Sequence, residues 1–309
     1  MRDTQSICIL MGTYNGEAYL AEQLLSIQNQ SHTHWRLIIS DDGSTDGTLD
    51  IAKAFQDSWG KDKLEIRQGP KLGFCKNFLS LATDPTIKAD FYAFADQDDV
   101  WMVDKLKIAL DYFNTANSVD WPRVYCGRTQ IVDEDLKFLG YSPLFSLPRS
   151  FRNALVQSIA GGNTMVFNQG AKALLEKAGL LTVVSHDWWV YQLIKGAGGV
   201  VFHDPEPTIL YRQHDSALVG SNSNIKAKIE RFSFALNGRF KQWNSINYEA
   251  LLSVFTLLSK DNQDILTTFG KFRGGKLKDR IRLLEVCGLY RQTWQGTLSL
   301  WFATIINKI

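Results

Sequence analysis

The sequence predicts an α/β fold, a mostly parallel sheet with helices on its faces, followed by a helical C-terminal extension. Three observations predict it. Short apolar runs alternate with stretches of helical periodicity through the first half of the chain, two of these runs end in clustered acids, and helical patterns dominate beyond residue 220. Strand–helix alternation is typical of parallel sheets, which bind ligands at the carboxyl ends of their strands.

Strands and helices alternate from residue 7 to residue 113. The predicted strands cover residues 7–11, 35–40, 64–67 and 91–94. The predicted helices cover residues 17–30, 49–58, 73–82 and 105–113. No GxGxxG follows the first strand and no GxxxxGK[ST] occurs anywhere, which argues against a dehydrogenase or a P-loop protein.

The second half of the chain changes character. Residues 124–126 are a predicted strand that residues 129–133 continue, residues 140–150 are a proline-containing loop, and residues 208–210 are another strand. The clearer helices beyond residue 220 are 225–236 and 277–290.

Composition and cysteine usage indicate a globular, reduced protein. The 309 residues are 45% apolar and 12% aromatic, which suffices for a full core. The four cysteines lie far apart without a CxxC pair, and Cys8 and Cys126 fall in strand-like runs. Buried thiols are therefore predicted, rather than a disulfide framework or a zinc site.

Charge is divided unevenly along the chain. Residues 220–309 hold 14 Lys and Arg against 6 Asp and Glu, a net charge of +8, whereas the remainder holds 20 against 26, a net charge of −6. This asymmetry predicts an acidic, cation-binding part followed by a basic tail.

The sequence also predicts a cytoplasmic location. The N-terminus has Asp3 and a five-residue apolar run, so no secretory signal is expected. The longest later apolar candidate, residues 298–306, is far shorter than a membrane span of about 20 residues.

Acidic residues follow two of the predicted strands. Asp96, Asp98 and Asp99 come directly after the strand at 91–94, and like charges so close together are costly unless they share a cation. Oxygen ligands suit magnesium or manganese, which keep positions open for phosphate oxygens. Asp41 and Asp42 follow the strand at 35–40; a helix cap would need one side-chain oxygen only, from Thr45 or Asp46. A solvated acidic turn is the alternative reading of the first cluster.

Three segments, TYNGEAYLAEQLLSIQNQ, DDGSTDGT and FADQDDVW, resemble in this order the family 2 glycosyltransferases with the GT-A fold, over about residues 6–215. The resemblance implies a Rossmann-like, nucleotide-sugar-binding sheet and an inverting, metal-dependent transfer that uses Mn²⁺ or Mg²⁺. It divides the chain into a GT-A catalytic domain, residues 1–219, and a basic, mostly helical extension, residues 220–309. Within the domain, residues 1–115 would be the nucleotide-binding half and residues 116–219 the acceptor-side half.

The resemblance also implies roles for the acids. Asp42 matches the residue that contacts the nucleobase. Asp96 and Asp98 match the ends of the DXD motif, near the ribose and the metal-bound diphosphate, with Asp99 as a supporting acid. Asp187, in the segment HDWW, matches the catalytic base, although His186 stands where the family commonly has Glu. The alternative is that Asp187 caps the helix that follows it.

Other residues are assigned by the same resemblance. Thr13 and Tyr14 match the loop that lies against the nucleotide. Gly162 and Asn163 match a loop beside donor sugar and acceptor, with Trp188 and Arg212 as further candidates, and Arg212 could pair with the diphosphate. His214 lies where GT-A enzymes often complete the metal site with a histidine; a structural histidine is the alternative.

The segments FADQDDVW, HDWW and YRQH together look most like bacterial rhamnosyltransferases that build O-antigen lipopolysaccharide, capsule or related surface polysaccharide. That resemblance implies dTDP-L-rhamnose as donor. A UDP-hexose or UDP-N-acetylhexosamine transferase of the same fold is the first alternative, since Asp42 would bond thymine and uracil alike. A non-catalytic nucleotide-sugar binding module and a metal-dependent phosphodiesterase are alternatives from other classes.

The basic tail suggests where the enzyme works. Six Lys and Arg lie within residues 271–282, and aromatic residues follow, including Trp294, Trp301 and Phe302. Such a segment can rest on an anionic bilayer, which predicts peripheral association with the cytoplasmic face of the inner membrane and a lipid-linked saccharide acceptor. Packing against the chain's own core, or in a homo-oligomer, is the alternative. No nucleic-acid-binding motif accompanies the charge.

Overall fold

The computed structural model describes residues 4–115, 121–214 and 238–309. The chain divides into two compact units. The first unit comprises Met1–Pro143, Ala160–Leu180 and Val200–Gly220, and the second comprises Leu144–Ile159, Leu181–Gly199 and Ser221–Ile309. The boundary predicted between residues 219 and 220 and the helix predicted at 225–236 lie outside the described residues.

Eleven strands lie in the described ranges. They are β1 Ile7–Thr13, β2 Trp35–Asp41, β3 Leu64–Gln68, β4 Phe91–Ala95, β5 Val100–Trp101, β6 Arg123–Gly127, β7 Gln130–Val132, β8 Phe138–Tyr141, β9 Val166–Asn168, β10 Val200–Asp204 and β11 Ile209–Arg212. The helices in the same ranges are α1 Leu20–Gln28, α2 Thr48–Trp59, α3 Phe74–Ala82, α4 Lys105–Asn114, α5 Phe151–Ala154, α6 Gln169–Ala178, α7 His186–Gly196, α8 Arg239–Ser253, α9 Lys260–Gly274, α10 Leu277–Cys287 and α11 Trp294–Ile305.

A seven-stranded sheet forms the centre of the first unit, in the order β10-β6-β9-β4-β1-β2-β3. Strand β9 runs antiparallel to its neighbours β4 and β6, and the other pairs are parallel. The central strands β1 and β4 are buried almost throughout, because helices cover both faces of a parallel sheet. Their side chains form one core with apolar residues of α1 and α4, among them Ile9, Leu24 and Leu106.

A second sheet of four strands, in the order β5-β11-β7-β8, was not predicted. Residues 129–133 do not continue β6: the amide of Arg128 bonds the carbonyl oxygen of Asp204 at 3.0 Å, and the next residues form β7 of the second sheet. The prediction of a loop from residue 140 was also wrong at its start, since β8 extends to Tyr141. The carboxylate of Asp133 accepts the amides of Asp135 and Lys137 and so closes the β7–β8 hairpin.

The second unit is helical, as predicted for the C-terminal region. Helix α7 buries Trp189, Tyr191 and Leu193 almost completely. Helix α10 ends at Cys287, three residues before the predicted end, because Gly288 takes a left-handed conformation with φ of 59°. Within the described residues, no helix is both long enough and apolar enough to cross a membrane.

All four cysteines lie in the described residues, and none forms a disulfide. Cys8, Cys126 and Cys287 are buried, as predicted for reduced thiols, while Cys75 is partly exposed.

Candidate functional site

The carboxyl ends of β1, β2 and β4 meet at one edge of the large sheet, because the three strands are adjacent and parallel. The two predicted acidic turns and the loop after β1 therefore come together. Gln97 joins two of them: its side chain accepts the amide of Tyr14 at 2.9 Å and donates to the carbonyl oxygen of Tyr14 at 3.0 Å. This edge is where an open α/β sheet binds ligands.

Asp41 and Asp42 both organise the turn after β2. Asp41 accepts the Thr13 hydroxyl at 3.0 Å and the amides of Gly43 and Ser44 at 3.1 and 2.9 Å. The two oxygens of Asp42 accept the amides of Lys71 and Gly73 at 2.6 and 2.7 Å. Each carboxylate oxygen can accept a further bond, so these contacts leave acceptor capacity for a ligand.

The end of this turn starts helix α2. The N-cap of α2 is Gly47, not Thr45 or Asp46 as predicted. Asp46 bonds the first helical residue instead: its carboxylate accepts the amide of Thr48 at 3.1 Å and the hydroxyl of the same residue at 2.5 Å. The amide of Thr45 donates instead to the side chain of Asn15 at 2.9 Å, which ties the turn to the loop after β1. Burial opposes ionisation of Asp46, but the bonds from Thr48 and the backbone outweigh it and lower its pKa.

Asp98 and His214, the two predicted metal ligands, lie side by side. Nε2 of His214 and Oδ2 of Asp98 form a hydrogen bond of 2.8 Å, although 116 positions separate the residues. Two ligands at about 2.1 Å from one octahedral ion, at right angles, are about 3 Å apart, so the spacing fits a shared cation. A carboxylate with an imidazole suits Mn²⁺.

A cation bound by these two side chains would need further ligands from water or from a bound molecule. Among the described residues, no group of three or more His, Cys, Asp and Glu is arranged to hold a metal. Magnesium-like ions in nucleotide sites commonly take one or two protein ligands and fill the remaining positions with water and phosphate oxygens. The donor set is therefore compatible with an ion that binds together with a diphosphate.

Arg212 clamps the loop that carries Asp98. Its Nε donates to the carbonyl oxygen of Asp98 at 3.1 Å, and its other nitrogens bond the carbonyl oxygen of Glu134 and the carboxylate of Glu22. The guanidinium carbon lies 4.6 Å from the centre of the Tyr19 ring, which in turn is 4.8 Å from the His214 ring. The arginine is buried. It thus connects the end of β11 with the loop after β4.

Asp99 points into the protein. It is buried, and its Oδ2 accepts the side-chain amide of Asn163 at 2.5 Å. Burial, reinforced by the charges of Asp96 and Asp98, raises the pKa of Asp99 well above its usual range. Lys105 is buried nearby in sequence, and burial lowers its pKa to about 7. Asp99 therefore supports the loop from within.

The loop before β9 meets the acidic turn through this bond. Asn163 lies in the short 3₁₀ turn Gly162–Thr164 and is buried. The carbonyl oxygen of Gly162 accepts the amide of Met165 at 2.8 Å, which leads the chain into β9. The structure thus brings Asn163 to Asp99, a pairing the sequence did not predict.

Asp187 and Trp188 belong to the second unit. Ser185, not Asp187, is the N-cap of α7, and Asp187 is the second residue of the helix. The carboxylate of Asp187 accepts the amide of Trp188 at 2.7 Å. The indole of Trp188 is buried and donates to the carbonyl oxygen of Ala154 at 2.7 Å. Burial lowers the pKa of His186 to about 4, while the charge of Asp187 opposes that shift.

Three residues that organise the site were not predicted from the sequence: Gln97, Glu22 and Tyr19. Gln97 lies between Asp96 and Asp98, and the pattern that predicted the site consists of the charged residues only. Glu22 and Tyr19 lie at the start of α1, where a surface helix ordinarily carries such residues, so no local signal distinguished them.

The fold and the sheet edge define a GT-A glycosyltransferase, and comparison with known proteins identifies the family. The model of Glycosyl transferase family 2 matches residues 8–175, and the chain belongs to this family. The chain is 33% identical over 247 residues to the dTDP-rhamnosyl transferase RfbG of Shigella flexneri, which covers 75% of this chain and 81% of that protein.

A shorter match is to the UDP-Glc:alpha-D-GlcNAc-diphosphoundecaprenol beta-1,3-glucosyltransferase WfgD of Escherichia coli. It is 30% identical over 110 residues, 35% of this chain and 41% of that protein.

Solved structures show the same fold. The S. aureus TarS fragment 1–349 in complex with UDP-GlcNAc has a TM-score of 0.54 at 16% identity and covers 93% of each chain. The mannosyltransferase PcManGT of Pyrobaculum calidifontis, in complex with GDP-Man and Mn²⁺, has a TM-score of 0.50 at 17% identity over 98% of this chain and 85% of that one. The predicted GT-A fold and glycosyltransferase class are confirmed.

Proposed function

We propose that the protein is an inverting, metal-dependent rhamnosyltransferase. It would move L-rhamnose from dTDP-L-rhamnose to a saccharide acceptor during synthesis of a bacterial cell-surface polysaccharide. The observation that carries the donor assignment is the 33% identity, across three quarters of the chain, to a protein named as a dTDP-rhamnosyl transferase. The Asp98–His214 pair at the nucleotide-binding edge supports the metal dependence.

The first unit supplies the donor-binding residues in this proposal. Thr13, Tyr14, Asp42 and Asp96 bind the nucleoside, and the Asp98–His214 pair holds the divalent cation. A cation bound there would neutralise the negative charge that develops on the leaving diphosphate. The fold holds the Asp98 carboxylate and the His214 imidazole close together before the donor binds.

Asp187 is the proposed base. Its carboxylate takes the proton of the acceptor hydroxyl as the acceptor oxygen bonds the anomeric carbon. The bond from that carbon to the diphosphate oxygen breaks at the same time, so the nucleoside diphosphate leaves and the anomeric configuration inverts. Because the Trp188 amide bonds this carboxylate, the side chain is oriented in the free protein. Gly162 and Asn163 are the proposed neighbours of donor sugar and acceptor.

A UDP-hexose or UDP-N-acetylhexosamine donor is the second candidate. The match to a UDP-glucose-dependent glucosyltransferase favours it, but that match covers 35% of the chain. Both nucleobases offer the same imide edge, so Asp42 would accept from either. The two donors therefore differ in what the rest of the site must recognise.

Nucleotide binding distinguishes the two donors. The melting temperature is measured with dTDP and with UDP, each with and without Mn²⁺. We expect dTDP to raise it more than UDP, and to do so only with the metal. A preference for UDP would refute the rhamnosyl assignment, and no shift with either nucleotide would refute the nucleotide-sugar assignment.

Turnover tests the base. Asp187→Asn should keep nucleotide binding and lose transfer by about 10²–10⁴-fold, the usual contribution of a general base. The matched control is Asp57→Asn, at an exposed position of α2, which should turn over as the wild type does. Wild-type turnover in Asp187→Asn would remove the base assignment.

A further inference from the structure

Helix α11 carries an apolar stripe on its solvent-exposed side. Four large side chains there are exposed: Trp294 at 69%, Leu298 at 58%, Phe302 at 40% and Ile305 at 49%. Their spacing of four, four and three residues places them on one face, about 100° wide. The opposite face holds the buried residues Leu300, Ala303 and Thr304. The helix is therefore anchored on one side and presents an apolar surface on the other.

The C-terminal region that carries this stripe has a net positive charge. Residues 294–305 contain no Asp, Glu, Lys or Arg, and Arg291 and Lys308 lie just beyond the two ends of the helix. Residues 238–309 together hold 11 Lys and Arg against 5 Asp and Glu, a net charge of +6. Further exposed cations lie on or beside the preceding helices: Lys271, Lys276, Lys278 and Arg282.

The basic segment at 271–282 has a partly structural role. Arg280 is buried and donates to the carbonyl oxygens of Gly275 at 3.4 Å and Ile305 at 3.2 Å. It thereby caps the last turn of α11 and fixes that helix in place. Leu284 and Leu289, within and just after α10, are buried. Helix α10 still exposes Leu277 and Val286, but the stripe of four large apolar side chains lies on α11.

The exposed apolar area of the stripe indicates which kind of partner could cover it. The four side chains present on the order of 400 Å² of apolar surface. One partner of a stable protein interface contributes about 800 Å², so a second copy of this chain would gain too little area here. An exposed tryptophan with aliphatic neighbours, in a region of net charge +6, matches the headgroup boundary of an anionic bilayer, where the indole N–H stays hydrated.

We propose that α11 is a membrane-docking helix, which lies in the plane of an anionic lipid surface with the Trp294–Ile305 stripe inserted. The flanking lysines and arginines add attraction to the lipid headgroups, which falls with rising salt. This inference does not depend on which sugar the protein transfers. It would bring the enzyme to the surface where a lipid-linked acceptor is held.

Vesicle flotation of the full-length protein tests the proposal. Vesicles are made of phosphatidylcholine alone or mixed with phosphatidylglycerol. We expect flotation with the anionic vesicles and its loss at high salt. Leu298→Glu combined with Ile305→Glu should reduce the bound fraction more than tenfold, since two apolar side chains lose their burial in lipid.

A matched control places the same two charges elsewhere on the helix. Gln295→Glu combined with Ser299→Glu lies outside the stripe, at exposed positions, and should float within about twofold of the wild type. Trp294→Ala adds no charge and should weaken binding, with its melting temperature checked against the wild type. Equal flotation of wild type and stripe variant would overturn the proposal.

Light scattering, which measures the oligomeric state, tests whether a second copy of this chain covers the stripe instead. A wild-type dimer that Leu298→Glu with Ile305→Glu converts to a monomer, without lipid-dependent flotation, would assign the stripe to a second copy and refute the bilayer. A monomeric wild type that floats with anionic vesicles alone would support the docking helix.

Discussion

Replacement of Arg212 would test whether this residue holds the loop that carries Asp98. The Arg212 side chain is 2% exposed, and its guanidinium bonds two backbone carbonyl oxygens and the Glu22 carboxylate. A hydrogen bond from a charged donor contributes about 1.5–3 kcal/mol. The Glu22 side chain is 48% exposed, so solvent screens that pair, and it adds under about 1 kcal/mol.

Arg212→Met should therefore lower the free energy of unfolding by about 3–5 kcal/mol, since two buried carbonyl oxygens lose their donor. That corresponds to a fall in melting temperature on the order of 10 °C. Arg212→Lys keeps the charge but loses the planar fork, so an intermediate loss is expected. Differential scanning calorimetry measures both variants.

Arg36→Met is the matched control. Arg36 bonds the carbonyl oxygen of Lys88 at 3.3 Å and lies 3.9 Å from the Glu65 carboxylate, with a side chain 35% exposed. Its loss should cost less than about 1 kcal/mol. If Arg212→Met and Arg36→Met have the same melting temperature, the proposed structural role of Arg212 is refuted. A weakened nucleotide affinity without metal, at unchanged melting temperature, would instead assign Arg212 to the diphosphate.

Two further predictions concern buried titratable groups. Because burial lowers the pKa of His186 to about 4, against about 6.5 in the unfolded chain, the folded state binds fewer protons between these values. The associated stability is complete above about pH 6.5 and is lost progressively as the pH falls from there to about 4. Urea unfolding should therefore show about 2 kcal/mol less stability at pH 5 than at pH 7 from this group, and a flatter profile in His186→Gln. An identical profile in the variant would contradict this. Cys8, Cys126 and Cys287 are buried, and burial raises the pKa of Cys8 and Cys287 to about 11. Ellman's reagent should therefore modify one thiol in the native protein, Cys75, and none in Cys75→Ser. Rapid reaction of a second thiol would contradict the burial.

Local patterns predicted most of the first unit. The strand predicted at 35–40 is β2 Trp35–Asp41, and the helix predicted at 105–113 is α4 Lys105–Asn114, because each pattern reports burial of a single element against one sheet. Helix ends were less accurate: the first predicted helix, 17–30, is shortened to α1 Leu20–Gln28. The second sheet was missed because its strands are two to four residues long, too short for alternation to be recognised.

The sequence predicted which residues form the candidate site but not which of them contact each other. The acidic clusters were visible because like charges beside an apolar strand are unusual in any sequence. Their partners come from distant parts of the chain: Asn163 is 64 positions from Asp99, and Glu22 is 190 positions from Arg212. A bond across such a separation depends on strand order, which no local pattern contains. The metal dependence, the donor and the role of Asp187 stay predictions.

The sequence by itself determined the fold class, the family resemblance and the sheet edge where the acids collect, since these follow from hydrophobic periodicity and short motifs. Tertiary structure decided which apolar residues are covered. Leu284 and Leu298 both lie in amphipathic or apolar helical segments of the C-terminal region, yet the first is buried and the second is 58% exposed. Burial depends on which helix packs against which, and so the exposed stripe of α11 emerged only from the folded chain.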